Sequence, residues 1–412
     1  MQLKIFFTAI VSVFLAAPVL CGAALYGSTD KNAVSYAPGE EMVFTLTPAG
    51  VEGDLSNMQV TWERNGDDGI QCSGVADIVD GKAVITTSID KPGFVRIVAS
   101  LVDREGNPPD GNPVLFEGGA AVQPEKLLPA PEPEDFDDFW ADQREKLADV
   151  PVEAEVRKVG EGVNCNIYAV RVLCAGPCPV TGYMYIPKNA KPGSLPARAV
   201  FHGYGIDIQK PGTDGTEDEI CFSVNPHGYE LDGDEEYYRN FINSLFVNGV
   251  GYAFDTKTNS DPETAYFNGM ALRVMRAMEF LKTLPEWNGR DLYATGNSQG
   301  GMQAIWAAAL DKDVTFLRAD VPWCCDMAAE SMERYRPGGI PYVPGLDYYD
   351  PVHHARRISC RTEVQRAGMG DYVCPPAGVA VFYNNLSCPK SIWFVQGSTH
   401  NYIPPHAERV LR

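Results

Sequence analysis

The sequence has few positive charges for its size, and beyond its first residues it has no long apolar run. Its 34 lysine and arginine residues face 54 aspartate and glutamate residues, which gives a formal net charge of −20. A protein that binds nucleic acid must neutralise phosphates with basic side chains, so this balance excludes nucleic acid as a partner. No later stretch approaches the roughly 20 apolar residues of a transmembrane helix, which excludes an internal membrane span. The 412 residues, 45% of them hydrophobic, are nevertheless enough for two or three packed domains.

Histidine is scarce, and the cysteines are poorly spaced for a structural metal. Six histidines occur, and neither Cys174 with Cys178 nor Cys324 with Cys325 has a second pair at zinc-ligand spacing. The acidic run at residues 232–236 lacks the glycine and the terminal glutamate of a calcium loop. The sequence therefore predicts no metal and no cofactor.

The N-terminus has the pattern of a secretory signal. Lys4 precedes an apolar stretch over residues 5–20, and small residues follow it. We therefore expect residues 1–23 to be a signal peptide and the protein to be exported, either to a periplasm or to the extracellular space. Two alternatives stay open, namely an uncleaved anchor helix and a lipid anchor on Cys21, which has Leu20 before it instead of a small residue.

Short alternating strands predict an immunoglobulin-like β-sandwich over residues 24–122. Turn pairs such as Pro38-Gly39 and Asn65-Gly66 separate the runs. Trp62 is a candidate for the core tryptophan of such a sandwich, although Cys72 alone cannot form the intersheet disulfide of antibody domains. The expected strands cover residues 42–47, 58–62, 83–87 and 95–102.

A proline-rich segment over residues 123–134 is expected to act as a stiff connector to a second domain at residues 135–412. Asp135 is a candidate cap for an amphipathic helix that follows it. Strand-like and helical patterns then alternate, which predicts an α/β domain with a mostly parallel sheet and its functional residues at the carboxyl ends of the strands. Strands are expected at 165–172, 180–186, 197–201, 250–254, 292–294, 316–321, 363–366 and 392–395, and helices over 267–281, from Gln299 and around His406.

The sharpest local signal is Gly-Asn-Ser-Gln-Gly-Gly at residues 296–301, between a predicted strand and a predicted helix. A nucleophile at such an elbow needs a strained backbone that presents its hydroxyl outward, and flanking glycines relieve the crowding. Ser298 is therefore the candidate nucleophile.

A serine hydroxyl needs a base and an acid that orients the base. In the α/β-hydrolase fold, the acid follows the serine along the chain and the histidine follows the acid. His400 comes just after a predicted strand, whereas His353, His354 and His406 are less well placed as the base. Asp371 follows the preceding strand and is the candidate acid, with Asp347 and Asp350 as rivals. The candidate catalytic set is thus Ser298, Asp371 and His400.

Two backbone N–H groups are expected to bind the oxyanion that develops on the substrate. One is that of Gln299, directly after the nucleophile and at a helix N-terminus. The other is that of Tyr204, in the His-Gly-Tyr-Gly segment that follows the predicted strand at 197–201. Trp323 is a candidate for lining an acyl or sugar pocket, with core packing as the alternative.

Taken together and in order, these motifs resemble the acetyl xylan esterase and cephalosporin-C deacetylase family, carbohydrate esterase family seven. The resemblance covers roughly residues 133–402 and includes His202-Gly203-Tyr204, the elbow at 296–301, Asp320-Val321-Pro322, and Asp371 with Cys374-Pro375-Pro376. It implies an α/β-hydrolase fold, metal-free serine catalysis and the removal of acetyl groups from sugar hydroxyls. Two departures are Asp-Thr-Lys-Thr at 255–258, where the family usually has Arg-Gly-Gln, and Asn401 after His400 in place of glutamate.

The resulting prediction is a carboxylic ester hydrolase that deacetylates acetylated sugars or xylan-type polysaccharide through an acyl-enzyme. Its expected partner is the acetylated carbohydrate, and assembly into a homo-oligomer is left open. Two alternatives remain, which are a hydrolase of other acyl esters or of peptides, and a carbohydrate-binding protein without catalytic activity.

Overall fold

The computed structural model describes residues 22–51, 55–213, 215–336 and 339–412. The signal peptide predicted over residues 1–23 lies almost wholly outside these ranges. Within them, no helix combines the length and the apolar character that crossing a bilayer requires.

The described residues form nineteen strands and seven α-helices. The strands are β1 (Ala24–Thr29), β2 (Met42–Ala49), β3 (Met58–Gly66), β4 (Cys72–Asp77), β5 (Ala83–Thr87), β6 (Gly93–Asp103), β7 (Leu115–Val122), β8 (Ala154–Glu161), β9 (Cys165–Val172), β10 (Val180–Pro187), β11 (Leu195–Phe201), β12 (Ile220–Val224), β13 (Phe246–Val247), β14 (Val250–Gly251), β15 (Trp287–Asn297), β16 (Phe316–Asp320), β17 (Arg361–Gly368), β18 (Lys390–Val395) and β19 (Arg409–Leu411). The helices are α1 (Phe136–Ala148), α2 (Glu235–Ser244), α3 (Thr256–Asn259), α4 (Tyr266–Lys282), α5 (Gln299–Leu310), α6 (Pro351–His354) and α7 (Pro376–Asn385).

Two antiparallel sheets packed on one core form the predicted sandwich. Their strand orders are β1-β2-β5 and β4-β3-β6-β7. Side chains alternate between buried and more exposed positions along β2, because successive residues of a strand face opposite sides. Phe44 and Leu46 of one sheet meet Val60 and Ile97 of the other in a single buried cluster. Trp62 packs only at the margin of this cluster, so it is not the central core tryptophan that the sequence suggested.

The second domain is built on a ten-stranded sheet of order β19-β18-β17-β16-β15-β11-β12-β10-β9-β8. The strands from β18 to β12 in this order run parallel, and antiparallel strands extend the sheet at both edges. The predicted mostly parallel sheet is thus confirmed. Since parallel strands share a direction, the carboxyl ends of β11, β15, β17 and β18 lie at the same end of the sheet.

Helices α4 and α5 form the centre of the domain core. Every residue of α5 is buried, and its run of alanines allows the helix to pack closely against the sheet. Most residues of α4 are buried, including Arg276, whose guanidinium donates to the backbone carbonyls of Leu147 at the end of α1 and of Val150 just after it. The sheet that carries the site therefore rests on a rigid helical layer.

The segment over residues 123–134, predicted as a stiff connector, is attached to the second domain at several points. Leu127 and Ala130 are buried, and the side-chain amide of Asn384 donates to the carbonyls of Pro124 and Leu127. Glu132 pairs with the guanidinium groups of two arginines that follow α6. These contacts fix the direction in which the chain leaves the sandwich.

Besides that of Trp62, three local expectations were wrong. The stretch 250–254 is not a strand of the main sheet, because β14 covers only its first two residues and pairs with β13 alone, while β12 occupies the sheet position. The chain around His406 forms a turn before β19, since the preceding prolines cannot donate helical hydrogen bonds. Asp135 makes no cap bond with its side chain and instead accepts a hydrogen bond from the hydroxyl of Tyr348.

Candidate active site

Ser298 lies at a sharp turn between the end of β15 and the start of α5. Its backbone has φ 56° and ψ −124°, a strained conformation for a residue with a side chain. The Ser298 N–H donates to the carbonyl of Asp320 at 3.0 Å, and the Ser298 carbonyl accepts from the N–H of Trp323 at 3.0 Å. The last residue of β16 and the loop that follows it therefore hold the elbow in this conformation from both sides.

Two glycines of the elbow are required by close backbone approach. A Cβ atom on Gly296 would lie 2.3 Å from the backbone of Gly300, and one on Gly300 would lie 2.2 Å from the carbonyl oxygen of Phe201. Neither contact can be relieved by moving a flexible side chain. The spacing of glycines in the motif thus reflects how tightly the turn and α5 are folded onto β11.

Ser298, His400 and Asp371 are joined by a continuous chain of hydrogen bonds. His400 Nδ1 lies 3.0 Å from Asp371 Oδ2, and His400 Nε2 lies 3.1 Å from Ser298 Oγ. An ionised carboxylate can only accept, so the proton is on Nδ1 and the lone pair of Nε2 faces the serine hydroxyl. This is the geometry in which an imidazole can deprotonate a serine.

The Asp371 carboxylate is buried and held by three donors. Besides the imidazole, the N–H groups of Val373 and Cys374 both donate to Oδ1 at 2.9 Å. The side chain follows β17, as the sequence suggested, and the tight turn before α7 supplies the two backbone donors. The carboxylate therefore has one orientation, and this orientation fixes the ring of His400.

The rival acids have structural partners away from the elbow. Asp350 is buried at the start of α6 and accepts from the N–H groups of Asp326, Met327 and Val352. Asp347 accepts from the hydroxyl of Tyr342. Among the described residues, neither carboxylate is hydrogen-bonded to a histidine ring.

The rival histidines are also placed elsewhere. His354 is buried, and its Nε2 donates to the carbonyl of Tyr348 at 2.9 Å; burial lowers the pKa of its imidazole to about 3, so the ring stays neutral. His353 is buried beside it in α6, and His406 is exposed before β19. Of the four histidines after Ser298, His400 is the one that contacts the serine.

The segment His202–Gly205 after β11 is tied to the elbow by its carbonyl groups. The side-chain amide of Gln303 donates to the carbonyl of His202 at 3.0 Å, and that of Gln299 lies 3.4 Å from the carbonyl of Gly203. Gln299 is buried in the first turn of α5, where the backbone N–H has no intrahelical acceptor. The structure thus places both predicted oxyanion segments, those of Tyr204 and Gln299, next to each other.

His227 is a site residue that the sequence analysis missed. Its Nε2 donates to the carbonyl of Gly205 at 2.7 Å, and its Nδ1 accepts from the hydroxyl of Tyr266 at 2.7 Å. Burial lowers the pKa of this imidazole to about 4, which keeps the ring neutral and preserves this donor and acceptor assignment. Its signal in the sequence is an Asn-Pro-His-Gly turn, which lies before Ser298, whereas the base of this fold follows the nucleophile in the chain.

Aromatic rings form a wall beside the elbow. The ring of Tyr204 is about half exposed, stacks on that of Tyr252 at 4.8 Å and meets the edge of Trp323 at 5.3 Å. The hydroxyl of Tyr252 donates to Oε1 of Gln299 at 2.7 Å. Trp323 is nearly buried and also packs on Phe254, so it belongs to the wall and to the core at once.

Within the described ranges, Asp371, Cys374 and His400 are the one set of three potential metal-ligating side chains close enough to share an ion, with ligand atoms within 4.8 Å of one another. Their chemistry fits a metal poorly. The carboxylate and the imidazole already bind each other, and burial raises the pKa of the Cys374 thiol well above its usual range, which disfavours a thiolate ligand. In the acidic run 232–236, Asp234 caps α2 and Asp232 pairs with Arg157.

Comparison with known proteins gives a consistent result. The sequence model described as acetyl xylan esterase (AXE1) matches residues 128–334 and 342–412. Acetyl esterase Axe7A of Xylanibacter ruminicola is 29% identical over 338 residues, which are 77% of this chain and 73% of that protein.

Two solved structures share the fold of the second domain. The acetyl xylan esterase from Paenibacillus sp. R4 is 24% identical, with a TM-score of 0.57 over 69% of this chain and 95% of that chain. Acetyl xylan esterase 1 from Thermoanaerobacterium sp. JW/SL YS485 is 19% identical, with a TM-score of 0.56 over 69% of this chain and 94% of its own. The α/β-hydrolase fold that the motifs implied is therefore confirmed.

Proposed function

The chain belongs to the acetyl xylan esterase family, and from this membership we propose that it removes acetyl groups from acetylated sugars or xylan-type polysaccharide by a serine acyl-enzyme mechanism. It is a carboxylic ester hydrolase. The observation that supports the mechanism is the unbroken hydrogen-bonded chain from Ser298 through His400 to Asp371.

In the proposed acylation step, Oγ of Ser298 attacks the carbonyl carbon of the acetyl ester while Nε2 of His400 takes the hydroxyl proton. The tetrahedral intermediate collapses when the C–O bond to the sugar breaks, and the imidazolium returns the proton to the departing sugar oxygen. Water then attacks the acetyl-serine with His400 again as base, which releases acetate and restores the hydroxyl. Asp371 orients the ring and stabilises the imidazolium throughout.

The backbone N–H groups of Gln299 and Tyr204 are the proposed donors to the oxyanion. The first lies at the N-terminus of α5, where free N–H groups and the helix dipole favour negative charge. The second lies in the segment that Gln299, Gln303 and His227 hold by its carbonyls, so that it is preorganised. Preorganised donors stabilise the transition state because they need no rearrangement as charge develops.

The aromatic wall of Tyr204, Tyr252 and Trp323 is the proposed contact surface for the acetyl methyl group and the adjoining sugar ring. Aromatic rings offer a flat apolar surface at low conformational cost, and the half-exposed face of Tyr204 is open to such a contact. Trp323 would thus contribute to substrate binding by supporting the ring of Tyr204, while its backbone N–H holds the elbow at Ser298.

The direct test is Ser298→Ala. If Ser298 is the nucleophile, kcat on p-nitrophenyl acetate falls by about 10⁴-fold or more, and a fluorophosphonate probe labels the wild type at Ser298 and leaves the variant unlabelled. The unlabelled Ser298→Ala protein is also the control that no other serine of the chain reacts with the probe. Activity of Ser298→Ala within tenfold of the wild type would refute the mechanism.

A substrate panel tests the specificity. We expect acetate release from acetylated xylan and acetylated oligosaccharides, with weaker hydrolysis of longer acyl esters and none of peptide amides. Faster hydrolysis of bulky acyl esters or of amides would identify one of the other hydrolase classes, and absence of all turnover with a labelled Ser298 would contradict the ester-hydrolase assignment.

Export is proposed from the N-terminal pattern alone. Support comes from the charged residue, the apolar stretch and the small residues at positions 4–24. N-terminal sequencing of the mature protein tests it, and an N-terminus at Met1 or Gln2 would contradict cleavage.

A further inference from the structure

The sandwich contacts the second domain along a line that runs beneath the acid and the base. We call this line the seam and define it as Arg96 and residues 117–119 on the sandwich side, and residues 369–370 with Gln396 on the other. The backbones lie very close here: a Cβ atom on Gly370 would lie 2.1 Å from the carbonyl oxygen of Glu117. Such contacts leave no room for solvent or for sliding, so the seam is rigid.

On the acid side, Arg96 of β6 binds the residue before Asp371. Its Nε donates to the carbonyl of Gly370 at 3.0 Å, and its guanidinium lies over the ring of Tyr372, 5.3 Å from the centroid. Glu117 of β7 pairs with the same guanidinium and fixes it. The two residues that flank the catalytic acid in sequence are therefore both held by one side chain of the sandwich.

On the base side, Gln396 follows β18 and lies four residues before His400. Its buried side-chain amide accepts from the N–H of Gly119 at 3.0 Å and donates to the carbonyl of the same residue at 2.8 Å. These two hydrogen bonds fix the segment before His400 against β7 in one orientation. The ring of Phe116, also in β7, packs under the next residue, Gly397.

The two held segments are also bonded to each other. The N–H of Gly370 donates to the carbonyl of Ser398 at 2.9 Å, and the N–H of Met369 donates to that of Val395 at 3.0 Å. A displacement of either segment would therefore move the other. The seam therefore positions the segments before Asp371 and before His400 together.

We propose that the sandwich is a fixed part of the catalytic apparatus, in which Arg96 and the Gln396–Gly119 bond are positioning elements that set the separation of Asp371, His400 and Ser298. This inference rests on the proposed function, because it concerns the same three side chains. It assigns the sandwich a role in turnover itself, in addition to any role in binding carbohydrate.

The size of the effect follows from the geometry of proton transfer. Loss of the Arg96 bond frees the carbonyl of Gly370 and the ring of Tyr372, and a displacement of the reacting groups by about 1 Å costs on the order of 100-fold in rate. Neither Arg96 nor Gln396 belongs to the aromatic wall, so substrate affinity should change little. The proposal therefore predicts a loss in kcat with KM nearly unchanged.

The experiment compares Arg96→Met, Arg96→Lys and Gln396→Met in the full chain, with p-nitrophenyl acetate and with acetylated xylooligosaccharide. Arg96→Met and Gln396→Met should each lower kcat by about 10- to 100-fold, with KM within about threefold and fluorophosphonate labelling slowed in parallel. Arg96→Lys retains a donor and a positive charge, and it should recover part of the loss.

The matched control is Arg104→Met. Arg104 lies just beyond β6, and in the described part of the chain its guanidinium bonds only within the sandwich, to Asp77 at 2.6 Å and to Gln59 at 3.2 Å, so its loss should leave kcat unchanged. Circular dichroism and thermal unfolding identify variants that fold. If Arg96→Met does not fold, Arg96→Lys and Gln396→Met decide the question by the same split between kcat and KM.

Wild-type kcat in a folded Arg96→Met or Gln396→Met protein would overturn the positioning role. So would an equal loss in Arg104→Met, because the effect would then follow from sandwich stability. Ser298→Ala tests the proposed function separately: if that variant is inactive while the seam variants are unimpaired, only the present inference fails.

Discussion

At the scale of single residues, several side chains hold the site without taking part in bond making. His227 is the clearest of these, because its neutral ring joins Tyr266 to the carbonyl of Gly205 through one donor and one acceptor. The segment that it holds carries the proposed second oxyanion donor, Tyr204. A residue of this kind controls the rate through the position of a backbone N–H.

We expect His227→Leu to lower kcat by about 10- to 100-fold, because the Gly205 carbonyl loses its donor and the N–H of Tyr204 can move. Tyr266→Phe is the matched variant: it removes only the bond to Nδ1 and leaves the donation from Nε2, so its loss should be smaller. Steady-state kinetics on p-nitrophenyl acetate measure both. Equal activity of a folded His227→Leu protein and the wild type would show that the segment is held without this ring.

Single residues of the loop after β16 have strained backbone conformations. Val321, Cys324 and Asp326 all have positive φ, and a β-branched residue at φ 39° is rare. The loop persists because Val321 N–H bonds to the carbonyl of Arg366, and the Asp326 carboxylate forms a buried ion pair with Arg334. The strain is maintained where the loop supports Ser298.

At the scale of elements, the sequence indicated those parts whose pattern is local. The elbow at Ser298 could be found because a strand, a glycine-rich turn and an alanine-rich helix are consecutive, and α4 because its apolar residues recur at helical spacing. For Ser298, Asp371 and His400, the sequence indicates the three residues and their order along the chain. It does not give the distances between them, because those depend on how the strands assemble.

The elements that were missed lack such a pattern or depend on partners far away. Strand β12 has only five residues between loops, so the aromatic run at Tyr252 and Phe254 was the stronger strand signal, although those rings build the wall of the site. The last strand, β19, has three residues and exists because β18 offers a free edge. Arg96 and Gln396 have no motif, because their role arises from two domains that meet.

The packed linker gives a prediction at this scale. Asn384 of α7 donates to the carbonyls of Pro124 and Leu127 at 2.8 and 3.0 Å, so Asn384→Ala leaves two partly buried carbonyls without their donor. We expect a loss of about 1 to 3 kcal/mol in the free energy of unfolding, measured by urea titration. Asn112→Ala, which removes one bond in an exposed loop, should cost much less. Equal stability of Asn384→Ala and the wild type would show that the linker docks by apolar contacts alone.

At the scale of the whole molecule, the two domains share a buried acidic group. Asp67 follows β3 and accepts from the N–H of Phe94 at 2.7 Å, while its own carbonyl accepts from the N–H of Tyr335 in the second domain. Burial raises the pKa of its carboxyl to about 7, and Arg334, Asp326 and Asp68 are the charged groups that face it. The folded state is therefore more stable when the Asp67 carboxyl is protonated.

This pKa gives the stability of the wild type a definite pH dependence. In the unfolded chain Asp67 ionises near its ordinary pKa of about 3.9, so between that pH and about 7 the folded state binds more protons. The contribution of Asp67 to the free energy of unfolding thus decreases as the pH rises through this window. Asp67→Asn keeps an acceptor for Phe94 and removes the ionisation. The unfolding free energy of the variant minus that of the wild type should therefore increase from pH 5 to pH 8. Urea titrations at both values measure it, and parallel pH profiles would contradict the assignment.

The two solved relatives are matched over 95% and 94% of their own chains, which leaves them too little additional sequence for a sandwich of this size. The seam is thus an addition to a fold that exists without it. Because β7 and the loop before His400 interlock through glycine backbones and one amide, recombining N-terminal and C-terminal halves from different parent chains should give active hybrids only when both sides of that junction come from the same parent.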